Sequence, residues 1–186
     1  MRLASVVLVI FGSAVNVSAE PPANGDLIAI ESMGTLPGPK FLNGITGNGH
    51  VDLAKDSSQT GTRWRVHKLN DGSYRLECTG NNPGPRWLDG LTAKGTVKLA
   101  DTVNGTGTRW QISEQQNGTF VIKCLGTIPG PRVLDGVSSN GSVKLSDTAN
   151  GTGAMEAPEI IVLILIQLLL DDDTTDEFNN NLRCES

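Results

Sequence analysis

The chain has 186 residues and a formal net charge of −5 at pH 7. This length allows one domain with a buried core and is too short for two. The charge is uneven, because residues 20–153 hold 13 bases and 12 acids (net +1), whereas residues 154–186 hold 1 base and 8 acids (net −7). A near-neutral main region argues against a nucleic-acid partner, which needs clustered Lys and Arg, and 3 cysteines do not make a disulfide framework.

The first 19 residues have the pattern of a secretory signal peptide. Arg2 supplies a positive charge, residues 3–11 form a short apolar core, and Ala19 ends an acceptable small-residue cleavage site. We therefore predict a signal peptide over residues 1–19, a mature chain that begins near Glu20, and a secreted, extracellular protein.

The main region consists of three copies of a 46-residue repeat. A Pro-Gly-Pro-Lys/Arg-x-Leu-Asn/Asp-Gly motif starts at Pro37, Pro83 and Pro129. Within each copy, Asn-Gly and Asp-Gly turns separate short segments with period-two alternation, which favours hairpins over helices. The strands predicted for the second copy cover residues 74–78, 86–89, 96–100 and 109–113.

Three copies of four strands predict an all-β fold of twelve strands. A closed arrangement of three equal units leaves no exposed sheet edge, whereas an open solenoid would need capping units and a propeller would need more blades. We therefore predict a β-trefoil domain over residues 27–166. Trp64 and Trp110 recur at one repeat position and are predicted to pack in its core.

The third repeat is predicted to be irregular or incomplete at its last strand. It keeps Gly153, but Glu156 stands where the first two copies have tryptophan. Residues 160–170 are apolar except Gln167. A helix of that length is too short to span a bilayer, so no stable membrane anchor is predicted.

Two interpretations of this segment stay open. In the first, residues 160–166 supply the twelfth strand, which their β-branched side chains favour. Alternatively, the segment is foreign to the fold and results from a frameshift, a mis-spliced exon or a faulty gene model. Residues 167–186 are predicted to be an acidic, disordered tail in either case.

Two of the cysteines, Cys78 and Cys124, occupy one repeat position, which is Ser32 in the first copy. A disulfide between them requires Cα atoms within about 7 Å, and hence a place close to the axis that relates the copies. The alternative, which we favour, is two small buried apolar side chains. Cys184 lies in the tail and could be a free thiol.

The sequence offers little support for catalysis. Its two histidines, His50 and His67, both lie in the first copy, are not repeated, and are predicted to be surface residues. No nucleophile elbow, HExxH, CxxC or phosphate-binding loop is present. We therefore predict a protein that is not an enzyme, with no catalytic residue, no metal site and no cofactor.

The order of short motifs in the second copy resembles the ricin-B-type β-trefoil repeat. That family shows a Leu-Asp-Val strand, a Gly-Thr-x-Val-x-Leu strand, a Gln-x-Trp signature and an Asp-Gly-Thr turn. The matching segments are Leu88-Asp89, Gly95-Thr96-Val97-Lys98-Leu99, Thr108-Arg109-Trp110 and Asn117-Gly118-Thr119. The resemblance covers about residues 27–153, and Thr62 and Thr108 replace the glutamine of the signature.

The resemblance implies carbohydrate binding. In the family, the aspartate of the Leu-Asp-Val strand accepts hydrogen bonds from sugar hydroxyls; the equivalent residues are Asp89, Asp135 and Asn43. An aromatic residue normally stacks on the sugar; its positions are Ala54, Ala100 and Ser146 in this chain. Trp87, beside Asp89, is predicted to replace that aromatic platform.

The sequence thus predicts a secreted, non-catalytic, lectin-like protein whose partner is a glycan or glycoprotein. The alternative is a secreted β-trefoil that binds protein, for example a protease inhibitor that acts through an exposed loop. Both functions occur on trefoils, so the fold alone does not separate them.

Overall fold

The computed structural model describes residues 20–34, 36–115, 119–148 and 162–165. The predicted signal peptide over residues 1–19, Cys184 and the predicted tail over residues 167–186 lie outside the described residues. The fold is all-β, with a closed antiparallel barrel and no α-helix in the part of the chain that is described. This confirms the predicted all-β class.

The strands are short, and each copy contributes four of them. They are β1 (Leu27–Ser32), β2 (Phe41–Ile45), β3 (His50–Ala54), β4 (Arg63–Lys68), β5 (Tyr74–Cys78), β6 (Trp87–Leu91), β7 (Thr96–Ala100), β8 (Trp110–Glu114), β9 (Phe120–Cys124), β10 (Val133–Val137), β11 (Ser142–Ser146) and β12 (Val162–Leu165). Two 3₁₀ helices, η1 (Thr60–Thr62) and η2 (Thr106–Thr108), precede β4 and β8.

The strands predicted for the second copy are confirmed, with small shifts at two of them. Strand β6 ends at Leu91 because Gly90 and Leu91 continue the ladder opposite Val97 and Thr96. Strand β8 begins one residue later than predicted, because the Arg109 backbone N–H still bonds to the carbonyl oxygen of η2's first residue.

Six strands form a closed ring of antiparallel ladders. β1 pairs with β4, β4 with β5, β5 with β8, β8 with β9, β9 with β12, and β12 with β1. Because every strand of this ring has a neighbour on both sides, the ring presents no unpaired edge to another chain.

Strand β12 closes this ring between the first and third copies. Its residues Val162 and Leu165 pair with Ser32 and Ala29 of β1, and Val162 also pairs with Phe120 of β9. Of the two interpretations of residues 160–166, the structure therefore contains the twelfth strand, four residues long.

The other six strands form three hairpins, β2–β3, β6–β7 and β10–β11, one in each copy. The hairpins also contact one another. Ser142 of β11 pairs with Asp52 of β3, and Lys144 of β11 pairs with Thr96 of β7. The predicted ligand-binding positions Asn43, Asp89, Asp135 and Trp87 all lie on these hairpins.

Each Pro-Gly-Pro turn packs against the hairpin of another copy. Gly84 has a φ of 136°, and a Cβ atom added there would overlap the backbone carbonyl oxygen of Thr46. The same relation holds between Gly130 and Thr92 and between Gly38 and Ser138. The contacts run from the second copy to the first, from the third to the second and from the first to the third, so the turns join the three copies in a cycle.

The repeated tryptophans lie in the core, as predicted. Trp64 and Trp110 are fully buried. Each indole N–H donates a hydrogen bond of 2.9 Å to a backbone carbonyl of the neighbouring hairpin, on Leu42 and Leu88 respectively. A buried indole thus keeps its polar atom satisfied.

The equivalent cysteines are buried free thiols, so no disulfide joins Cys78 to Cys124. The Cys78 Sγ lies 3.3 Å from the carbonyl oxygen of Gly44, and the Cys124 Sγ lies 3.5 Å from that of Gly90. Burial raises the pKa of both thiols. The interpretation of these residues as small buried side chains is confirmed.

Candidate functional site

The three predicted ligand residues lie at equivalent places in the three hairpins. Asn43, Asp89 and Asp135 are only 9%, 9% and 8% exposed. Each stands directly across its ladder from a charged residue: Asp52, Lys98 and Lys144 respectively. Burying a polar side chain costs free energy unless the side chain is hydrogen-bonded. The hydrogen-bond partners of each residue therefore show whether it can still bind a ligand.

The 3₁₀ helices cover this position in the first two copies. A Cβ atom added to Gly107 of η2 would overlap the Oδ1 atom of Asp89, and one added to Gly61 of η1 would overlap the Oδ1 atom of Asn43. The glycine of the repeated Gly-Thr-Arg-Trp segment is therefore required by its close approach to the candidate ligand residue. This close approach is a physical reason for a glycine at this repeat position in the first two copies.

In the first copy, the position is filled by an internal hydrogen bond. The Nδ2 atom of Asn43 donates to the Oδ1 atom of Asp52 at 2.8 Å. One N–H of the Asn43 amide is therefore already used within the hairpin, and one carboxylate oxygen of Asp52 already accepts a hydrogen bond.

In the third copy, the carboxylate is also occupied. The Ser146 hydroxyl donates to the Oδ2 atom of Asp135 at 2.6 Å, and the Lys144 Nζ atom lies 3.6 Å from the same oxygen. Two groups of β11 therefore compensate the buried charge of Asp135 within the hairpin itself.

In the second copy, the carboxylate has no such partner. No hydrogen bond within the described residues reaches the side chain of Asp89, because Ala100 stands where the third copy has Ser146. Burial raises the pKa of Asp89, while the positive charge of Lys98 opposes that rise. Asp89 is thus a nearly buried carboxylate that accepts no hydrogen bond from the described residues, and in this sense it is open, although η2 lies against its Oδ1 atom.

Trp87 lies on the same strand as Asp89, two residues earlier, so the two side chains share one face of β6. Its ring is half-buried and contacts the imidazole of His67 on β4, with 5.0 Å between ring centroids and 58° between planes. The predicted adjacency of an aromatic ring and a carboxylate is therefore present on this face.

Two further residues, Glu77 and His67, lie beside Trp87, and the sequence did not predict this. Glu77 of β5 stands opposite Trp87 in the ladder. The Nε2 atom of His67 lies 2.9 Å from the Oε2 atom of Glu77. Period-two alternation along β4 and β5 could have indicated that both side chains point away from the core, but not that they meet a tryptophan of the next hairpin.

No protein-family model matches this chain, and no curated protein matches it. Within the described ranges, no group of three or more His, Cys, Asp or Glu side chains is placed to hold a metal ion. None of the helices in that part of the chain is both long and apolar enough to cross a membrane.

Proposed function

We propose that this chain is a secreted, non-catalytic, carbohydrate-binding β-trefoil of the ricin-B type, with its principal site at Asp89. Two features support the trefoil: the 46-residue repeat and the cyclic contacts of the Pro-Gly-Pro turns with the hairpins. Secretion is inferred from the pattern of residues 1–19 alone.

The observation that carries the binding proposal is the open carboxylate of Asp89. An ionised carboxylate accepts hydrogen bonds only, and sugar hydroxyls are donors that suit it. Its two equivalents, Asn43 and Asp135, already have partners inside the chain. A bound hydroxyl would supply to Asp89 what Ser146 supplies to Asp135, so the three copies should bind unequally.

The protease-inhibitor alternative has weaker support. The most exposed large apolar side chain in the described residues is Ile128, at 59% exposure, on the Pro-Gly-Pro loop of the third copy. Its carbonyl oxygen accepts hydrogen bonds from the Thr92 hydroxyl at 2.6 Å and from the Arg132 guanidinium at 3.4 Å. A serine-protease inhibitor must present the scissile carbonyl to the oxyanion hole, and this carbonyl faces its own fold.

The test is a glycan array probed with the fluorescently labelled full chain, followed by titration of the best-bound glycan. Asp89→Ala should weaken binding by roughly ten-fold or more, because a hydrogen bond to a charged group contributes about 1.5–3 kcal/mol. Asp135→Ala is the matched control and should change the affinity much less. If the wild-type chain binds no glycan on the array at high concentration, the carbohydrate-binding proposal is wrong.

A further inference from the structure

We propose that Arg75 and Arg109 form a binding site for a tetrahedral oxyanion, sulfate or phosphate, as the free ion or as a monoester group. The inference does not rest on carbohydrate binding at Asp89. It rests on two buried donors: the Nε atoms of Arg75 and Arg109 are shielded from solvent and have no hydrogen-bond partner within the described residues. Because buried donors in native folds almost always have an acceptor, these two N–H groups indicate an acceptor from outside the chain.

The two arginines stand opposite each other on the outside of the barrel ring. The ladder between β5 and β8 pairs Tyr74 with Trp110, and both of these side chains are buried. The next pair in this antiparallel register is Arg75 with Arg109, whose side chains therefore point outward. Directly opposite residues have Cβ atoms about 5 Å apart, and like charges at such positions destabilise a ladder. An anion held by both guanidinium groups would reverse that effect.

Most donors of the two guanidinium groups have no acceptor in the part of the chain that is described. Each guanidinium carries five N–H groups. Arg75 donates from Nη2 to the carbonyl oxygen of Val103 at 3.3 Å. Arg109 donates from Nη2 to the Asp71 carboxylate and to the Ser73 hydroxyl, the latter at 3.3 Å. The Nη1 and Nε groups of both arginines are left as donors, and the 39% exposure of the Arg109 side chain lets an ion approach the pair from solvent.

The charges of the surrounding side chains leave one arginine without a counter-ion. Asp71 pairs with Arg109. Glu77 lies two residues from Arg75 on β5, but Arg65 stands opposite it in the ladder. Among the described residues, no ion pair includes Arg75. These three arginines and two carboxylates leave a net charge of +1, which attracts an anion.

Two other residues beside Arg75 add no negative charge. His67 stands opposite Arg75 on β4, and its ring is neutral or positive whichever protonation state it has. Lys68 is the next residue on β4, and its Nζ atom lies 5.7 Å from the centre of the Tyr74 ring. The surroundings of the arginine pair therefore favour an anion over a cation.

The pairing of two guanidinium groups favours a tetrahedral ion over a carboxylate. A guanidinium binds an oxyanion best through two parallel N–H···O bonds, which use two oxygens of the anion. A carboxylate has only those two oxygens and satisfies one guanidinium. Sulfate and phosphate have further oxygens that can face a second guanidinium, so they match two opposed arginines.

The arginine pair belongs to the second copy alone. In the first copy, Ala29 and Arg63 hold the equivalent positions and stand opposite each other in the ladder. In the third copy, Val121 holds the position of Arg75. The repeat fold therefore does not require two arginines here, and Arg63 supplies a matched control for the pair.

The experiment is isothermal titration calorimetry of the full chain with sodium sulfate or sodium phosphate at pH 7, at an ionic strength held constant with chloride. The wild type should give a saturating one-site isotherm. Arg75→Gln should weaken the affinity by roughly ten-fold or more, because hydrogen bonds to charged groups contribute about 1.5–3 kcal/mol. Arg63→Gln removes the equivalent arginine of the first copy and should leave the affinity unchanged.

Methyl phosphate and methyl sulfate identify the source of the oxyanion. If these monoesters bind as tightly as the inorganic ions, the site accepts an ester group of a larger ligand. If only the inorganic ions bind, the site takes the free ion. Either result supports the site.

Chemical labelling of the wild-type chain gives a second readout, which does not depend on the folding of any variant. An arginine-specific dicarbonyl reagent is applied in sulfate and in chloride at equal ionic strength, and the modified residues are quantified by peptide mass spectrometry. Sulfate should slow the modification of Arg75 and Arg109. The modification of Arg63 and Arg65, which are exposed on β4, should proceed at the same rate in both salts.

Three outcomes would overturn the oxyanion site: no saturable binding of either ion to the wild type, wild-type affinity in Arg75→Gln, or equal protection of all four arginines by sulfate. Each of them leaves the carbohydrate-binding proposal standing, because no glycan enters these measurements. Conversely, a chain that binds sulfate or phosphate at this pair and no glycan on the array would refute only the proposed function.

Discussion

The open carboxylate of Asp89 has a consequence for stability that can be measured without a ligand. The Asp89 side chain is 9% exposed and accepts no hydrogen bond from the described residues, but its carboxylate oxygens keep some contact with solvent. The cost of burying it therefore does not exceed the range of about 1–3 kcal/mol for a buried polar group without a partner. Lys98, directly across the ladder, offsets part of this cost, so we take the lower end. Asp89→Asn keeps the shape and removes the charge. It should therefore stabilise the fold at pH 7 by about 1 kcal/mol, or raise Tm by about 2–4 °C.

The pH dependence of this effect follows from the direction of the pKa shift. Burial raises the pKa of Asp89 in the folded chain above its ordinary value of 3.8. Between these two values the folded chain binds more protons than the unfolded chain, so the stability contributed by this group falls as pH rises through that interval. The stability that Asp89→Asn gains over the wild type should therefore be full at a pH above the folded-state pKa of Asp89. It should vanish as the pH falls to about 3.8, where the wild-type carboxyl is protonated in the folded chain.

The matched variant is Asp135→Asn, for which the opposite sign is expected. Asp135 accepts a hydrogen bond from Ser146 and lies near Lys144, so loss of its charge should destabilise the fold by about 1 kcal/mol. Thermal unfolding of both variants and the wild type at pH 7 and pH 4 measures all of these differences. If Asp89→Asn lowers Tm at pH 7 as Asp135→Asn does, Asp89 has a stabilising partner and its carboxylate is not an open site.

Two further predictions concern the fold. Gly84→Ala should lower the free energy of unfolding in urea by about 3 kcal/mol, because the new Cβ atom meets the Thr46 carbonyl oxygen at a positive φ. Gly72→Ala is also at a positive φ but has no atom within 4 Å of the new Cβ, so it should lower this free energy by only about 1 kcal/mol. Equal losses in the two variants would contradict the packing of the Pro-Gly-Pro turns against the neighbouring hairpins. In a Cys184→Ser variant, burial should keep Cys78 and Cys124 unreactive towards a thiol reagent at pH 8 until urea unfolds the chain. Rapid reaction of the native variant would show that these two thiols are accessible to solvent.

The strands were predictable because local pattern governs them. Alternating residues and turns that contain glycine mark each hairpin, and the repeat supplies three examples of each hairpin. The twelfth strand is different. Residues 160–166 carry no repeat signal in the sequence. The pairing of Val162–Leu165 with β1 and β9 therefore depends on contacts distant in sequence.

The candidate site was predictable only in part. The repeat register identifies Asn43, Asp89 and Asp135 as equivalent, and it places Trp87 beside Asp89. It does not reveal that the three are nearly buried or which of them has a partner. Those properties depend on the cross-strand neighbour and on the covering 3₁₀ helix, which the chain brings in from other segments.

The sequence by itself determined the all-β class, the three copies of the repeat, the buried tryptophans and the equivalence of the three candidate positions Asn43, Asp89 and Asp135. Each of these follows from residue types at a fixed spacing along the chain. Only the tertiary structure decided that Asp89 is the open member of that set and that His67 and Glu77 adjoin Trp87. Hydrogen-bond satisfaction is a property of atoms that meet across ladders, and a repeat in sequence does not specify which atoms meet.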